Sequence, residues 1–363
     1  MKVADFDFSL PAELIAQSAA PRGTSRLLVL NSANGRVTHA AVRDLPTFLK
    51  AGDLLTANDT RVFPARLLGR RVPSGGAVEC LLLAREPSED RPRTSDVGPV
   101  RDPAQIWTAL MHPGQKLKPG ARARFEGDAG VLIGEVLERQ FYGRRRLRLW
   151  VERGPGLDEL VDALGHVPLP PYIHRADTAE DRERYQTVFA EHRGSVAAPT
   201  AGLHFDQRLL DAIDAAGIER TSITLHVGYG TFKPVRVENV EDHQVDPERY
   251  EIGDQAAGRI NRALDQKRRV VAIGTTTTRA LEQAGRAGSG RIFAGTGEAR
   301  LFIYPGFEFR VISGLLTNFH LPQSSLLMLV SAFAGRERVL AAYREAVEQH
   351  YRFYSYGDAM LII

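Results

Sequence analysis

The period of the apolar residues changes twice along this 363-residue chain, and that double change limits what it can fold into. Up to about residue 64 the pattern is mixed. PAELIAQSA reads as a short helix after Pro11, RLLVLN as a strand, VRDLPTFLK as a helical turn and DLLTAN as a strand. From about Arg66 to Arg153 the apolar residues come only in short β-type runs, AVECLLLA, IWTALMH, VLIGEVLE and RRLRLWV, split by turns such as HPGQ, KPGAR and EGDAG. After that segment the α/β alternation resumes. Asp206 to Gly217 sets Leu209, Leu210, Ile213 and Ala216 on one helical face, and Ile223, Leu225 and Val227 then alternate as in a strand. A helix with Ile260 and Leu264 leads into RRVVAIG and the turn-helix TTTTRALEQAG. ARLFIYP, EFRVIS and two closing helices finish the chain.

The expected fold class is therefore α/β: an α/β main domain, residues 1–64 and 154–363, with a largely parallel sheet, and an inserted all-β, barrel-like domain at 65–153. Within the insertion, Glu86 to Pro103 is proline-rich and charged with few large apolar residues, and it reads as a long loop.

Charge follows the same division. The net charge is +3, yet residues 66–153 hold seventeen basic and eleven acidic side chains, a surplus of six that leaves −3 elsewhere. The insertion is the basic part. Only six of the 47 basic residues are lysines; this suits phosphate recognition by arginine forks, and base composition of the genome accounts for it equally. A single cysteine, Cys80, excludes a disulfide framework, a four-cysteine zinc site and an iron–sulfur cluster. The amino terminus carries acidic residues where a signal peptide needs basic ones, and no apolar run reaches membrane-spanning length, so a cytoplasmic protein without a membrane partner is expected.

Common catalytic signatures are missing. There is no GxxxxGK[ST] loop, no GxGxxG spacing, no HExxH and no GxSxG. What remains is four segments rich in glycine, threonine and ionisable residues where strands end. In NDTRVFPARLLGRR, Asn58, Asp59, Thr60, Arg61 and Arg66 offer polar contacts, although a capped turn with surface arginines explains them as well. In GSVAAPTAGLHF, Thr200 and Gly202 permit close backbone approach and His204 precedes a helix; a structural histidine is the alternative. In LHVGYGTFKPV, His226 stands near Gly228, Tyr229 and Lys233, and the glycine-flanked tyrosine is placed either to stack on a flat base or to fill core. In GTTTTRALE, Thr275, Thr276 and Arg279 open a helix whose free amides suit a carboxylate or phosphate, or simply cap it.

Together with MHPGQKLKPG, GHVPLPPYIHR, DRERYQTVFA, LLTNFHLPQSSLLMLVSAFAG and YRFYSYGDAMLI, these segments resemble the S-adenosylmethionine:tRNA ribosyltransferase-isomerase family of queuosine biosynthesis over nearly the whole chain. GTTTTRALE departs from the family's usual GTTSVRALE, the loop after it is short, and Glu86 to Pro103 resembles an insertion. The resemblance implies an enzyme that moves the ribosyl part of S-adenosylmethionine onto a 7-aminomethyl-7-deazaguanine at the tRNA wobble position, giving epoxyqueuosine and releasing adenine and methionine. It implies S-adenosylmethionine as co-substrate, no tightly bound cofactor and no metal. It further implies tRNA as partner, and a monomer is expected. On this basis His204, His226 and His320 are candidates for proton transfer, with Asn318 beside the last. Thr275, Thr276 and Arg279 are candidates for the methionine carboxylate or a phosphate, and Tyr229 and Phe205 for base stacking. Arg144, Arg146 and Arg148 alternate onto one strand face as candidates for tRNA phosphates, or are simply a solvated face. The competing functions are a non-catalytic RNA-binding protein and an S-adenosylmethionine-dependent RNA methyltransferase, which would leave S-adenosylhomocysteine.

Overall fold

The computed structural model describes residues 1–86, 103–232 and 234–363. Lys233 and most of the Glu86 to Pro103 loop lie outside these residues. The chain divides into two compact units: Met1–Arg61 with Pro170–Arg175 and Glu183–Ile363, and Val62–Leu169 with Ala176–Arg182.

The first unit is built on a nine-stranded sheet in the order Gly295–Ala299, Glu248–Ile252, Glu219–Leu225, Leu54–Asn58, Val270–Ile273, Gly314–Asn318, Ala359–Ile362, Arg26–Leu30, Val37–Ala41. Successive residues of its central strands enter different cores. Leu28, Leu54, Ala272, Leu315 and Met360 join one apolar cluster, while Leu27, Leu55, Ile273, Leu316 and Leu361 join the other. A strand with two buried faces cannot show a polar alternation, which is why these segments read as continuous apolar runs. The helices Asp254–Asp265, Thr275–Ala287, Ser325–Ala334 and Arg336–Glu348 contribute to the first cluster, and Gln207–Ala215 to the second. Asp206 caps that last helix by accepting from the Leu209 amide at 2.8 Å, and the helix stops at Ala215, leaving Ala216 exposed.

The sheet is mixed, not largely parallel. Its centre is parallel across Glu219–Leu225, Leu54–Asn58, Val270–Ile273 and Gly314–Asn318, as are Ala359–Ile362 and Arg26–Leu30; the remaining neighbours are antiparallel. ARLFIYP and EFRVIS, whose apolar runs read as strands, do not form them; the strands fall at Gly295–Ala299 and Gly314–Asn318 instead. The expected helix after Pro11 is only a short 3-10 turn, Ala12–Leu14. The parallel block matters for function, because the carboxyl ends of its four strands lie along one edge of the sheet.

The second unit is a closed six-stranded antiparallel barrel in the order Arg144–Arg153, Gln105–His112, Ala77–Arg85, Arg66–Val72, Arg122–Gly127, Gly130–Arg139. Its interior takes alternate residues such as Val78, Cys80, Leu82, Phe125, Leu147 and Leu149, all buried. Helix Leu157–Leu164 adds Leu157, Leu160 and Val161 to the buried set of the unit. Among the described residues no helix is long and apolar enough to cross a membrane.

Candidate functional site

At the carboxyl edge of the parallel block, the strand Val270–Ile273 passes through Gly274, whose φ of 94° turns the chain directly into the helix Thr275–Ala287. A glycine cap offers no side chain to the first amides of that helix. The Thr277 and Thr278 hydroxyls bond backward to the Ile273 and Gly274 carbonyls at 2.7 and 3.1 Å. Thr275 and Thr276, by contrast, line a cavity of ≈ 40 Å³ together with Thr200, Thr317, Asn318 and His320. The helix start, with uncapped amides and two hydroxyls, is chemically an anion seat.

The histidines are held differently. His204 is buried, with Nδ1 3.0 Å from Ser25 Oγ and Nε2 3.1 Å from Nδ2 of Asn318, which lines that cavity. Burial chiefly, with Arg352 adding to it, lowers its pKa to about 4. His320 lines the cavity, with Nε2 2.9 Å from the Thr317 hydroxyl, and burial lowers its pKa to about 3. Both are neutral at physiological pH.

His226 stands apart from this pair. Its neighbour Val227 lines the same cavity, whereas His226 itself lines a second, polar cleft of ≈ 810 Å³ with Asp59, Glu191, His192, Thr224 and Glu251. Consecutive extended residues face opposite sides, so one strand end serves both spaces. The Thr60 hydroxyl sits 2.8 Å from His226 Nδ1 and reaches the His192 carbonyl at 3.4 Å as donor. The shorter contact occupies Nδ1 and leaves Nε2 outside it. Burial first, then the neighbouring His192, lowers this pKa as well. Gly194 lies over the ring so closely that a Cβ there would stand 2.6 Å from Cε1. Asp59, Glu191 and His192 form the one group among the described residues whose ligand atoms, within 4.8 Å of one another, would suit a metal ion; Glu191 and His192 are exposed.

Other candidates prove to be tied down. The Asn58 amide donates to the Leu225 carbonyl and accepts from the Leu225 and Thr60 amides at 2.9 to 3.1 Å, so it joins strand ends. Asp59 accepts from the Thr224 hydroxyl at 2.7 Å. Arg279 directs Nε to the Leu301 carbonyl, Nη1 to Glu248 and Nη2 to the Ala299 and Asp246 carbonyls, so most of its guanidinium is engaged within the fold. Phe205 is fully buried, edge-on to Phe189, and presents no face for stacking. Gly202 is required by packing, since a Cβ would meet Thr187 at 2.8 Å. Gly228 donates its amide to Glu248 at 3.0 Å, and Tyr229 is half-buried. Arg61 is exposed, and Arg66 belongs to the barrel unit, paired with Glu79 at 2.8 Å. On the barrel strand Arg144–Arg153, Leu147 and Leu149 point inward and Arg148 is exposed, whereas Arg146 is paired with Glu86 at 2.9 Å. Thr317 and Tyr354 fall within LLTNFHLPQ and YRFYSYGD but do not stand out there, and Ser25 lies in none of the quoted segments; their place beside the site emerges only on folding.

The model of a family described as queuosine biosynthesis protein matches residues 3–362. The chain belongs to that family. It is 48% identical over 364 residues, the whole of both chains, to the S-adenosylmethionine:tRNA ribosyltransferase-isomerase of Heliobacterium modesticaldum. It is 44% identical, again over the whole of both, to the protein of that name from Clostridioides difficile. Among solved structures it is similar to the S-adenosylmethionine tRNA ribosyltransferase of Thermotoga maritima, at 33% identity and a TM-score of 0.53, covering 99% of this chain and 100% of that one. Within this family the mixed α/β architecture with its closed barrel is thus shared with a solved member.

Proposed function

We propose that this protein transfers and isomerises the ribosyl group of S-adenosylmethionine onto the aminomethyl arm of a 7-deazaguanine at the tRNA wobble position, acting in the cytoplasm as a monomer. The observation that carries this reading is similarity along the entire chain to relatives named for that activity. In the reaction, the positive sulfur acidifies the 5′ carbon of the ribose, and a base removes a proton to leave an ylide. Adenine departs, the arm's amine attacks the exposed carbon, and ring closure forms the epoxide while methionine leaves. Every step is proton transfer and bond exchange without net change of oxidation state, so the reaction needs no redox partner.

The first unit, Met1–Arg61 with Pro170–Arg175 and Glu183–Ile363, would do the chemistry, and the barrel unit, Val62–Leu169 with Ala176–Arg182, would hold tRNA. The uncapped start of helix Thr275–Ala287 favours the methionine carboxylate. His226, with Nε2 outside the Thr60 contact and burial disfavouring its cation, is the better-placed base, while His320, lining the cavity at the helix start, would orient ligands. Tyr229 suits base stacking. On the barrel, Arg144 and Arg148 are joined by Phe141 and Tyr142, 88% and 89% exposed on the turn before them, a combination of cations and aromatic faces that suits an anticodon loop.

The test is to mix the purified protein with S-adenosylmethionine and tRNA carrying the aminomethyl-deazaguanine, then follow free adenine and the mass of the digested nucleoside. Adenine with an epoxyqueuosine mass is the expected result. S-adenosylhomocysteine would assign methyl transfer instead, and tRNA binding with intact S-adenosylmethionine would leave a non-catalytic binder.

A further inference from the structure

Asn318 ends the strand Gly314–Asn318, 2% exposed, and lines the cavity at the start of helix Thr275–Ala287. Its Nδ2 lies 3.1 Å from the Tyr354 carbonyl oxygen and 3.1 Å from His204 Nε2. A carbonyl can only accept, so the amide nitrogen must face Tyr354; turning the amide over would set two oxygens against each other. That fixes the rest of the row. One amide hydrogen goes to Tyr354 and the other to His204 Nε2, which is therefore a bare acceptor. His204 must then carry its proton on Nδ1 and donate to Ser25 Oγ at 3.0 Å. Three side chains and a carbonyl thus have fixed roles, and one atom is left over. Asn318 Oδ1 is fully buried and has no hydrogen-bond partner.

We propose that Asn318 Oδ1 receives an N–H donor of the bound small-molecule substrate, and that His204 and Ser25 are positioning residues that hold the amide in that orientation. This rests on the reading above, in which the helix start beside this cavity receives the methionine carboxylate of S-adenosylmethionine. Buried acceptors without partners are rare in folded chains, and Asn318, the residue that carries this one, lines a cavity beside which the helix start offers a seat for an anion. A ligand carrying both a carboxylate and an N–H donor satisfies the two together. The donor comes either from the α-ammonium of the methionine part or from the amino group of adenine. His204 cannot also be the general base in this arrangement, because its only lone pair is covered by the Asn318 amide. Its low affinity for protons agrees with that role.

Calorimetry with the full-length protein tests the proposal, using S-adenosylmethionine, methionine and 5′-methylthioadenosine as separate ligands. In Asn318→Ala, S-adenosylmethionine should bind roughly tenfold or more weakly. Of the two fragments, one should weaken with it: methionine if the donor is the ammonium, methylthioadenosine if it is adenine. Equal losses for both fragments, or none, would overturn the proposal. If wild-type protein binds S-adenosylmethionine nowhere, the functional reading itself falls, and the proposal with it. Nitrogen NMR of the unsubstituted protein is the second measurement, independent of how the variant folds. It should find His204 protonated on Nδ1 alone at neutral pH, and a proton on Nε2 would overturn the relay.

Discussion

Arg279 Nη1 lies 2.6 Å from Glu248 Oε2, and the other oxygen of that carboxylate accepts the Gly228 amide at 3.0 Å. Helix Thr275–Ala287 is thereby tied, through one buried ion pair, to the turn that carries Tyr229. Removing one partner leaves the other charge buried and unpaired. Arg279→Ala should cost about 3–5 kcal/mol of stability, measured by denaturant unfolding, whereas the double variant Arg279→Met with Glu248→Gln should lose clearly less. Equal losses would mean that the pair contributes nothing through its charges.

The buried histidines make stability depend on pH. His204 and His320 titrate near 4 and near 3 when folded, below the ordinary value of 6.5, so the unfolded chain binds protons that the folded chain refuses. Their contribution is complete above pH 6.5 and is lost as pH falls toward the folded values. Each adds a slope of up to about 1.4 kcal/mol per pH unit in that window. His320→Gln should therefore show a shallower decline than the parent between pH 6 and 5, and parallel curves would place the proton uptake elsewhere.

His226 is expected to matter for turnover more than for binding. His226→Gln should lower kcat by about a hundredfold or more, with S-adenosylmethionine affinity changed only a few-fold. In the parent, activity should fall on acidification through a pKa below 6.5, because a base must be unprotonated and burial disfavours its cation. Gly194→Ala, whose Cβ would stand 2.6 Å from the ring, should reproduce much of the loss by displacing the imidazole. Normal kcat in the glutamine variant removes His226 from the chemistry.

The partner choice of His204 separates positioning from catalysis. Glutamine at 204 retains a carbonyl able to accept from Asn318 Nδ2, whereas leucine does not. His204→Gln should keep most of the turnover, and His204→Leu should raise KM for S-adenosylmethionine. Loss of kcat in both alike would return His204 to the role of base.

On the barrel, reversing Arg144 and Arg148 to glutamate and replacing Phe141 and Tyr142 by alanine should weaken tRNA binding without altering S-adenosylmethionine affinity. The slope of log affinity against log salt should drop by roughly one per lost phosphate contact. Reversing Arg146 alone should do less, because Glu86 already neutralises it. Unchanged affinity at low salt in the four-fold variant would exclude this face.

The sequence by itself determined the architecture class and the places where chemistry gathers. Apolar period is a local property, so the change from α/β alternation to short β runs announced an inserted barrel, and glycine at strand ends marked Gly194, Gly228 and Gly274. Asn318 and His204 were likewise visible as residues. Only the tertiary structure decided which of these groups are available. Asn58 is consumed by Leu225, 167 residues away, Arg279 by Glu248, 31 away, and His204 by Asn318 and Ser25, 114 and 179 away. Sheet polarity was hidden for a similar reason, since whether Ala359–Ile362 runs with or against Gly314–Asn318 depends on the path of the chain between them and not on either segment. A side chain's chemistry is written in its own residue type; whether its lone pair is free depends on partners that only folding brings within 3 Å.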